Sequence, residues 1–329
     1  MQYFMQQNLL DTFDEQIKSI EEYINHIELI NNVARHSRNS SEVYLQEFNA
    51  HIREFRVSKT EFEYKAIIIS LYGLLENTIS NWIQEHIQNV SKIVNNYATF
   101  EDKFKKDYFT LSIQLISMIN DDRHSKFDKF DKEVILQKLN QSIVTPNNFE
   151  LNSEAYIPTS GNLKHSKIVE AFKPLNIDLN AWEKKLHREI IKIDDLVTRR
   201  NDIAHGVNID DAILDTTVLQ EYIDNLKKYI ITIFEILSAK EIEYYTKHQK
   251  IVFIDKTEEV YIQGTVCIIN LVNIELKIGD ILFIKKNDKF LKATILNIEK
   301  DDESVESVNT GEVGLQLDIQ IQKSSEIWK

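Results

Sequence analysis

The sequence predicts an α+β multidomain chain, with an N-terminal all-α helical bundle followed by a small all-β barrel. Three observations carry that reading. Only Gly73, Gly161 and Gly206 occupy the first 250 of 329 residues, whereas Gly264, Gly279, Gly311 and Gly314 crowd into the last 79. Proline is absent after Pro174. Apolar residues recur every three or four positions before residue 250, and in short β-branched runs after it. The expected domains are therefore a helical one over 1–250, with a motif-bearing core at about 60–245, and a β-barrel over 251–329.

The elements follow in order. Leu9, Phe13, Ile17, Ile20, Ile24 and Ile27 mark one face of an amphipathic helix. Thr60 to about Val94 reads as a long, largely buried helix, with Thr60 and Glu63 as a capping box at its start. A weaker helix covers about Glu101 to Asn120. Residues 121–165 are polar, contain Pro146 and Pro158, and suit loops with one short helix. Two further helices are expected over 179–205 and 211–249; Gly206 stops the first, and Asn208 or Asp210 caps the second. Strands are expected at Ile251–Ile254, Val260–Ile262, Val266–Leu271, Ile281–Ile284, Lys292–Ile298 and Val313–Ile321. The acidic run Asp301-Asp302-Glu303 suits a solvated hairpin or loop.

Composition excludes several classes. A single cysteine, Cys267, forms no intramolecular disulfide and no cysteine-rich zinc cluster. The longest apolar run, Ala66 to Leu75, is too short to span a bilayer. The start, Met1 to Gln7, lacks the basic region of a secretory signal and is soon followed by Asp11 and Asp14, so a reducing cytoplasm is expected. The net charge is −13, and residues 251–329 alone carry 9 Lys and Arg against 14 Asp and Glu. Neither part has the basic coat of a non-specific nucleic-acid binder, and DNA is not an expected partner.

One constellation carries chemistry: Arg199-Arg200-Asn201-Asp202-Ile203-Ala204-His205-Gly206. On a helix, Asn201 and His205 are four apart and share a face, and Arg200 reaches around the same edge. Gly206 just past the helix end places His205 in its last turn, where the negative end of the dipole favours an imidazolium. A guanidinium, an amide and a proton-carrying imidazole are what RNA transesterification needs. The guanidinium stabilises the charged pentavalent phosphate. The imidazole moves a proton among the ribose 2′-hydroxyl, the phosphate and the leaving 5′ oxygen. No metal or cofactor is required. The alternative is plain: Arg and His near a helix end often interact only with the dipole and the last carbonyls.

Arg-Asn-x-x-Ala-His-Gly, preceded by Ile193-Asp194-Asp195-Leu196-Val197 and placed late in a helical domain, resembles the HEPN superfamily of nucleotide-binding and ribonuclease domains. Arg200, Asn201 and His205 match the family's motif of an Arg, a following polar residue and a His. The segment Ile67 to Asn77 is similar to the early HEPN helix, whose apolar face carries an acidic residue, here Glu76; the alternative for Glu76 is a solvated helix charge. Gly161 to Trp182 resembles the segment ahead of the motif in ribonucleases of the RiboL-PSP type. The resemblance covers about residues 60–245. It implies an up-and-down bundle and a metal-independent endoribonuclease. It also implies a homodimer with a composite active site, and products with a 2′,3′-cyclic or 3′ phosphate and a 5′ hydroxyl. Toxin–antitoxin systems and phage defence are the implied settings, with tRNA, rRNA or mRNA as targets and an antitoxin or defence protein as a further partner. One branch of HEPN toxins has a modifiable Tyr two residues after the His; Val207 stands there instead.

Lys184, Lys185, Arg188, Lys192 and Arg199 lie just upstream and, on one helix, form a candidate track for an RNA backbone. Glu183, Glu189, Asp194 and Asp195 interleave with them, so a salt-laced helix face is the alternative. Trp182 is a candidate base platform, with packing as the better reading. His26, His86, His124, His165 and His187 have no metal-ligand spacing and read as surface or partly packed.

The C-terminal region has its own rhythm. Glu259 to Val266, the turn Ile278-Gly279-Asp280 before Ile281-Leu282-Phe283-Ile284, Ala293 to Ile298, and Gly311-Glu312-Val313-Gly314 together resemble the second-domain barrel of translation GTPases such as elongation factor Tu, over about residues 258–320. Any small barrel with glycine turns is the alternative, with Gly311 and Gly314 at tight bends or bulges. No Gly-x4-Gly-Lys-Ser/Thr loop occurs, so no GTPase domain accompanies it. The resemblance implies a binding module for RNA or for the translation machinery; its acidic charge weighs against tight backbone binding, and mimicry of the factor or docking to a protein partner stays open. The combined expectation is a cytoplasmic endoribonuclease. Arg200 stabilises the phosphate, His205 is acid and base, Asn201 and Glu76 are positioning groups, and the barrel recruits substrate. A non-catalytic HEPN adaptor that binds nucleotide or dimerises stays open beside it.

Overall fold

In the computed structural model, residues 7–39, 41–119, 127, 129–158, 162–207, 216–286 and 289–329 are described. The helical region is organised around one element. Helix α2 (Val43–Ile93) runs unbroken for 51 residues, because that stretch holds one glycine and no proline to end it. The expected start at Thr60 is thereby corrected. Thr60 lies inside the helix, and Glu63 pairs with Lys59 at 2.8 Å instead of closing a capping box. With no breaker between 43 and 59, propagating an existing helix is easier than nucleating a new one.

From Tyr64 onward α2 buries Ile67, Ile68, Leu71, Leu75, Ile79, Ile83 and Ile87 at helical spacing. Helix α1 (Gln7–His36) turns Phe13, Ile17, Ile24 and Ile27 inward, as the periodicity predicts. Helix α3 spans Asp102–Met118, and the one short helix expected in the polar stretch is α4, Lys132–Val144. Helices α5 (His165–Phe172), α6 (His187–Ala204) and α7 (Thr216–Lys247) follow. Trp82 of α2 meets Phe13 edge-on at 6.4 Å and Phe234 of α7 at 5.3 Å, which ties three helices together.

The stretch 179–205 is not one helix. Leu179–Trp182 forms a tighter 3-10 turn whose Asn180 amide donates to the capping Asp178 carboxylate, and Leu186 leaves helical dihedrals at φ −100°, ψ 15°. Helix α6 therefore starts at His187, and Lys184 and Lys185 precede it. Gly206 does stop α6. The expected caps at Asn208 or Asp210, and also Gly161 and His124, lie outside the described residues.

The C-terminal strands form an antiparallel half-barrel. They are β1 (Phe253–Lys256), β2 (Glu259–Tyr261), β3 (Val266–Lys277), β4 (Ile281–Lys286), β5 (Lys289–Lys300), β6 (Glu303–Ser304), β7 (Ser307–Leu317) and β8 (Glu326–Trp328). Their order is β1-β8-β4-β5-β7-β3-β2, with β6 beside β5. The sheet curls enough for the Asp255 carboxylate of β1 to accept a bond from the Asn270 amide of β3 at 2.7 Å. Its inner face carries Cys267, Ile269, Leu282, Ile284, Ile295, Leu315 and Ile327. Burial there pushes the Cys267 thiol up to about 12.

Asp301 and Asp302, both at positive φ, form the two-residue β5–β6 turn, matching the expected hairpin. Gly279 and Asp280 form the β3–β4 turn, where the Asp280 amide donates to the Lys277 carbonyl at 3.0 Å. Gly314 pairs in register with Ile268 and Glu299 and marks no bulge, whereas Gly311, at φ +97° opposite Leu271, sits beside the register shift of β3 between Val272 and Leu276. Strands β6 and β8, two and three residues long, carry no readable alternation.

By its internal contacts the chain divides into two compact units, Met1–Phe234 and Glu235–Lys329. In the second unit, Gly264 sits at φ +93°, and a Cβ there would lie 2.9 Å from the Ile321 carbonyl oxygen. Gly264→Ala is expected to destabilise this unit by about 1–3 kcal/mol. The Ile321 amide, which donates to the Gly264 carbonyl at 2.8 Å, would report it as faster hydrogen exchange.

Candidate active site

The site forms where α6 ends against α2. Helix α6 buries Ile193, Leu196 and Val197. Successive helical residues point about 100° apart, so the adjacent Arg199 and Arg200 reach different surroundings.

Arg200 lies at the end of the buried stripe. Its guanidinium rests over the Tyr72 ring of α2, 4.5 Å from the centroid. Its Nη1 donates to Asn201 Oδ1 at 3.1 Å, and Asn201 Nδ2 donates to Asn162 Oδ1 at 3.2 Å. Tyr72 is buried and bonded to the backbone at Leu163 and to the Glu76 carboxylate one turn on. Burial, then Glu76, raises the Tyr72 phenol above its ordinary value, so it stays a neutral donor. Arg200, Asn201 and Glu76, named from sequence, are thus brought together. Tyr72 and Asn162 link them and were not anticipated. Tyr72 carried a signal, since it lies four residues before Glu76 on the same helix; Asn162, in a loop, carried none.

His205 is held differently. It is the C-cap of α6, and the end is a Schellman motif. The Gly206 amide donates to the Ile203 carbonyl at 3.1 Å, and the Val207 amide to the Asp202 carbonyl at 2.9 Å. Gly206 adopts φ +70°. The His205 amide donates to the Asn201 carbonyl at 3.0 Å, which fixes its backbone beside Asn201. Its side chain is exposed, and no described residue hydrogen-bonds its ring.

The basic residues upstream are engaged. Arg199 Nε donates to Asp195 at 3.0 Å and Nη1 to the Tyr64 hydroxyl at 3.1 Å; Tyr222 also bonds Asp195. Partial burial opposes the Arg199 charge, but Asp195, Tyr222 and Tyr64 outweigh it and raise its pKa. Lys192 pairs with Glu221 at 2.7 Å, and Arg188 is exposed. Since Lys184 and Lys185 lie before α6, the five residues do not share one helix. Trp182 is half-buried, with Lys185 Nζ 4.8 Å above its ring.

Two histidines read as surface or partly packed are buried, His86 and His165. His165 opens α5. Its amide donates to Asp194 at 2.7 Å and its Nδ1 meets the Tyr229 hydroxyl at 2.9 Å, while Nε2 has no hydrogen-bond partner. Burial lowers its pKa against the opposing pull of Asp194 and Glu183. Residues 162–165 are therefore clamped between α2 and α6, which positions Asn162.

Among the described residues, cavities in the helical unit include two of note. A larger one of about 220 Å³, lined by Leu115, Tyr156 and Pro174 among others, contains none of the predicted site residues. A smaller one of about 170 Å³ begins at Glu76. Among the described residues no cluster of His, Cys, Asp and Glu could hold a metal, and no helix is long and apolar enough to cross a membrane.

The RiboL-PSP-HEPN family model matches residues 11–239. The chain belongs to that family. No curated protein matches it. The HEPN region takes in the α2–α6 contact, and the half-barrel lies C-terminal to it.

Three variants test the HEPN site's construction. Gly206→Ala is expected to cost about 1–2 kcal/mol, because Ala must hold a left-handed conformation. Exposed His205→Ala should stay within about 0.5 kcal/mol of wild type. Urea midpoints check both. His165 has a lowered folded pKa, so the unfolded chain takes up its proton first as pH falls. Its contribution is present above the ordinary His pKa and lost on acidification. His165→Gln should flatten the fall in urea midpoint between pH 7 and pH 5.

Proposed function

We propose that this chain is an endoribonuclease that cleaves RNA by attack of the substrate's own 2′-hydroxyl. The observation that carries the reading is the Arg200 guanidinium held over Tyr72 beside Asn201 and one helical turn from His205. The helical domain, through about residue 250, is the nuclease body.

The step balances within the substrate. The 2′-hydroxyl loses its proton to a base as its oxygen bonds the phosphorus. The bond from phosphorus to the 5′ oxygen breaks, and that oxygen takes a proton. A 2′,3′-cyclic phosphate and a 5′ hydroxyl result. Arg200 neutralises the equatorial oxygens of the pentavalent phosphate, which a planar, permanently charged fork suits better than Lys. His205 serves as base or acid. Asn201 holds Arg200, and Glu76 holds Tyr72 beneath it. One imidazole fills one of the two proton roles, so a homodimer that joins two motifs completes the site.

The substrate we favour is tRNA or ribosome-associated RNA, since the half-barrel resembles the RNA-contacting domain of translation GTPases. A toxin or anti-phage effector, held in check by a partner protein in the cytoplasm, fits an enzyme that attacks cellular RNA.

One observation favours a second reading. No described residue orients the His205 ring, as expected if the motif binds nucleotide or a second copy without catalysis. Purified wild type and His205→Ala, incubated in EDTA with total RNA and tRNA and followed by end mapping, separate the two. Cleavage by wild type alone, leaving 5′ hydroxyls, is expected. Intact RNA with both proteins favours the adaptor.

A further inference from the structure

The smaller cavity starts at Glu76, the residue bonded to Tyr72, and follows α2 away from the motif. Asn77, Ser80, Asn81 and Gln84 line it on the helix side, and Phe127, Phe130 and Ile157 supply its apolar lining. Positions 76, 77, 80, 81 and 84 recur at helical spacing, so one face of α2 presents a row of polar side chains. No described residue hydrogen-bonds Asn77, Asn81 or Gln84. Each amide offers a donor and an acceptor side by side. Gly73, one turn before Asn77, has nothing within 4 Å of where a Cβ would stand. A glycine in a helix interior costs about 0.5–1 kcal/mol against Ala, and no packing among the described residues requires it here. The helix surface beside Glu76 is thus open to close approach.

We propose that this cleft is a nucleobase subsite, which reads one base of the RNA next to the scissile phosphate. This rests on the ribonuclease reading for its substrate class. Paired donor and acceptor amides match the hydrogen-bonding edges of an unstacked base, and single-stranded RNA is recognised through such edges and aromatic walls. Phe130 supplies the wall, and Lys129 Nζ, 5.1 Å from its ring centroid, adds a cation at the rim. At about 170 Å³ the cleft is smaller than the roughly 300 Å³ of the least drug-sized pockets. One planar heterocycle fits that space better than a whole nucleotide. The mixed lining of amides and aromatic rings suits a flat polar ring, which stacks and hydrogen-bonds at once, better than an apolar protein side chain. The cleft therefore gives the enzyme a base preference, and Asn81 and Gln84 determine it.

The test is calorimetric titration of the full chain with AMP, GMP, CMP and UMP, none of which can be cleaved. Wild type is expected to bind one of the four at least about tenfold tighter than the weakest, the discrimination a paired amide contact gives. Asn81→Ala/Gln84→Ala should lose that preference with an unchanged urea midpoint. Asn81→Asp, which keeps the shape but turns the amide donor into an acceptor, should shift the preference to another base. Equal binding of all four nucleotides, no binding, or a preference untouched in both variants overturns the subsite. So does a changed sedimentation mass in the double variant, which would make the cleft a protein contact. Base-selective binding by a protein that cleaves no RNA would leave the subsite standing and remove the ribonuclease reading. Cleavage with unaltered sequence preference in the double variant would do the reverse.

Discussion

The site depends on one packing constraint: the end of α6 must lie close enough to α2 for the Arg200 guanidinium to cover the Tyr72 ring. A cation over an aromatic face is attracted to it, and more strongly where water is excluded. Tyr72 is buried and fixed at its hydroxyl by Glu76 and the Leu163 backbone, so the platform cannot turn away. Arg200 is then limited to a small volume, with Asn201 and Asn162 fixing its direction. A guanidinium positioned before substrate arrives is worth more to a charged transition state than one that must be ordered during the reaction.

The two neighbouring arginines show how a helix separates roles at successive positions. Arg199 is consumed by Asp195 and Tyr64, and that network helps to hold α6 to α2 and α7. Among the described residues no carboxylate pairs with Arg200, which faces the motif's own Asn201. Exchanging the two would place the guanidinium that lacks a carboxylate partner on the other side of the helix. The Schellman end then sets His205 just past the last helical residue, with its backbone fixed and its ring exposed. A fixed backbone with an exposed imidazole suits a residue that meets its substrate, or a second copy of the site, from solvent.

Much of this was legible in the sequence, for identifiable reasons. The switch from a 3.6-residue to a two-residue pattern near residue 250 announced both architectures, and Gly206 announced the end of α6. Local signals failed where long-range packing decides. The capping box at Thr60 was sound in residue type, but an uninterrupted helix ran through it. The expected helix over 179–205 breaks at Leu186, with the capped Asp178 turn ahead of it. Arg200, Asn201 and His205 stood out because four residues span one helical turn. The link from Arg200 through Tyr72 to Glu76 joins residues more than a hundred positions apart, and no spacing rule reaches that far. The full burial of His165, read as surface or partly packed, depends on Tyr229 and Asp194, which only the fold brings to it.

The most direct measurement is the single-turnover rate of Arg200→Ala against wild type on one mapped RNA site, with urea midpoints measured in parallel. The account predicts a folded variant slowed by about 100- to 1000-fold, the usual cost of losing one preorganised charge-stabilising donor. A folded Arg200→Ala that cleaves at the wild-type rate would contradict it.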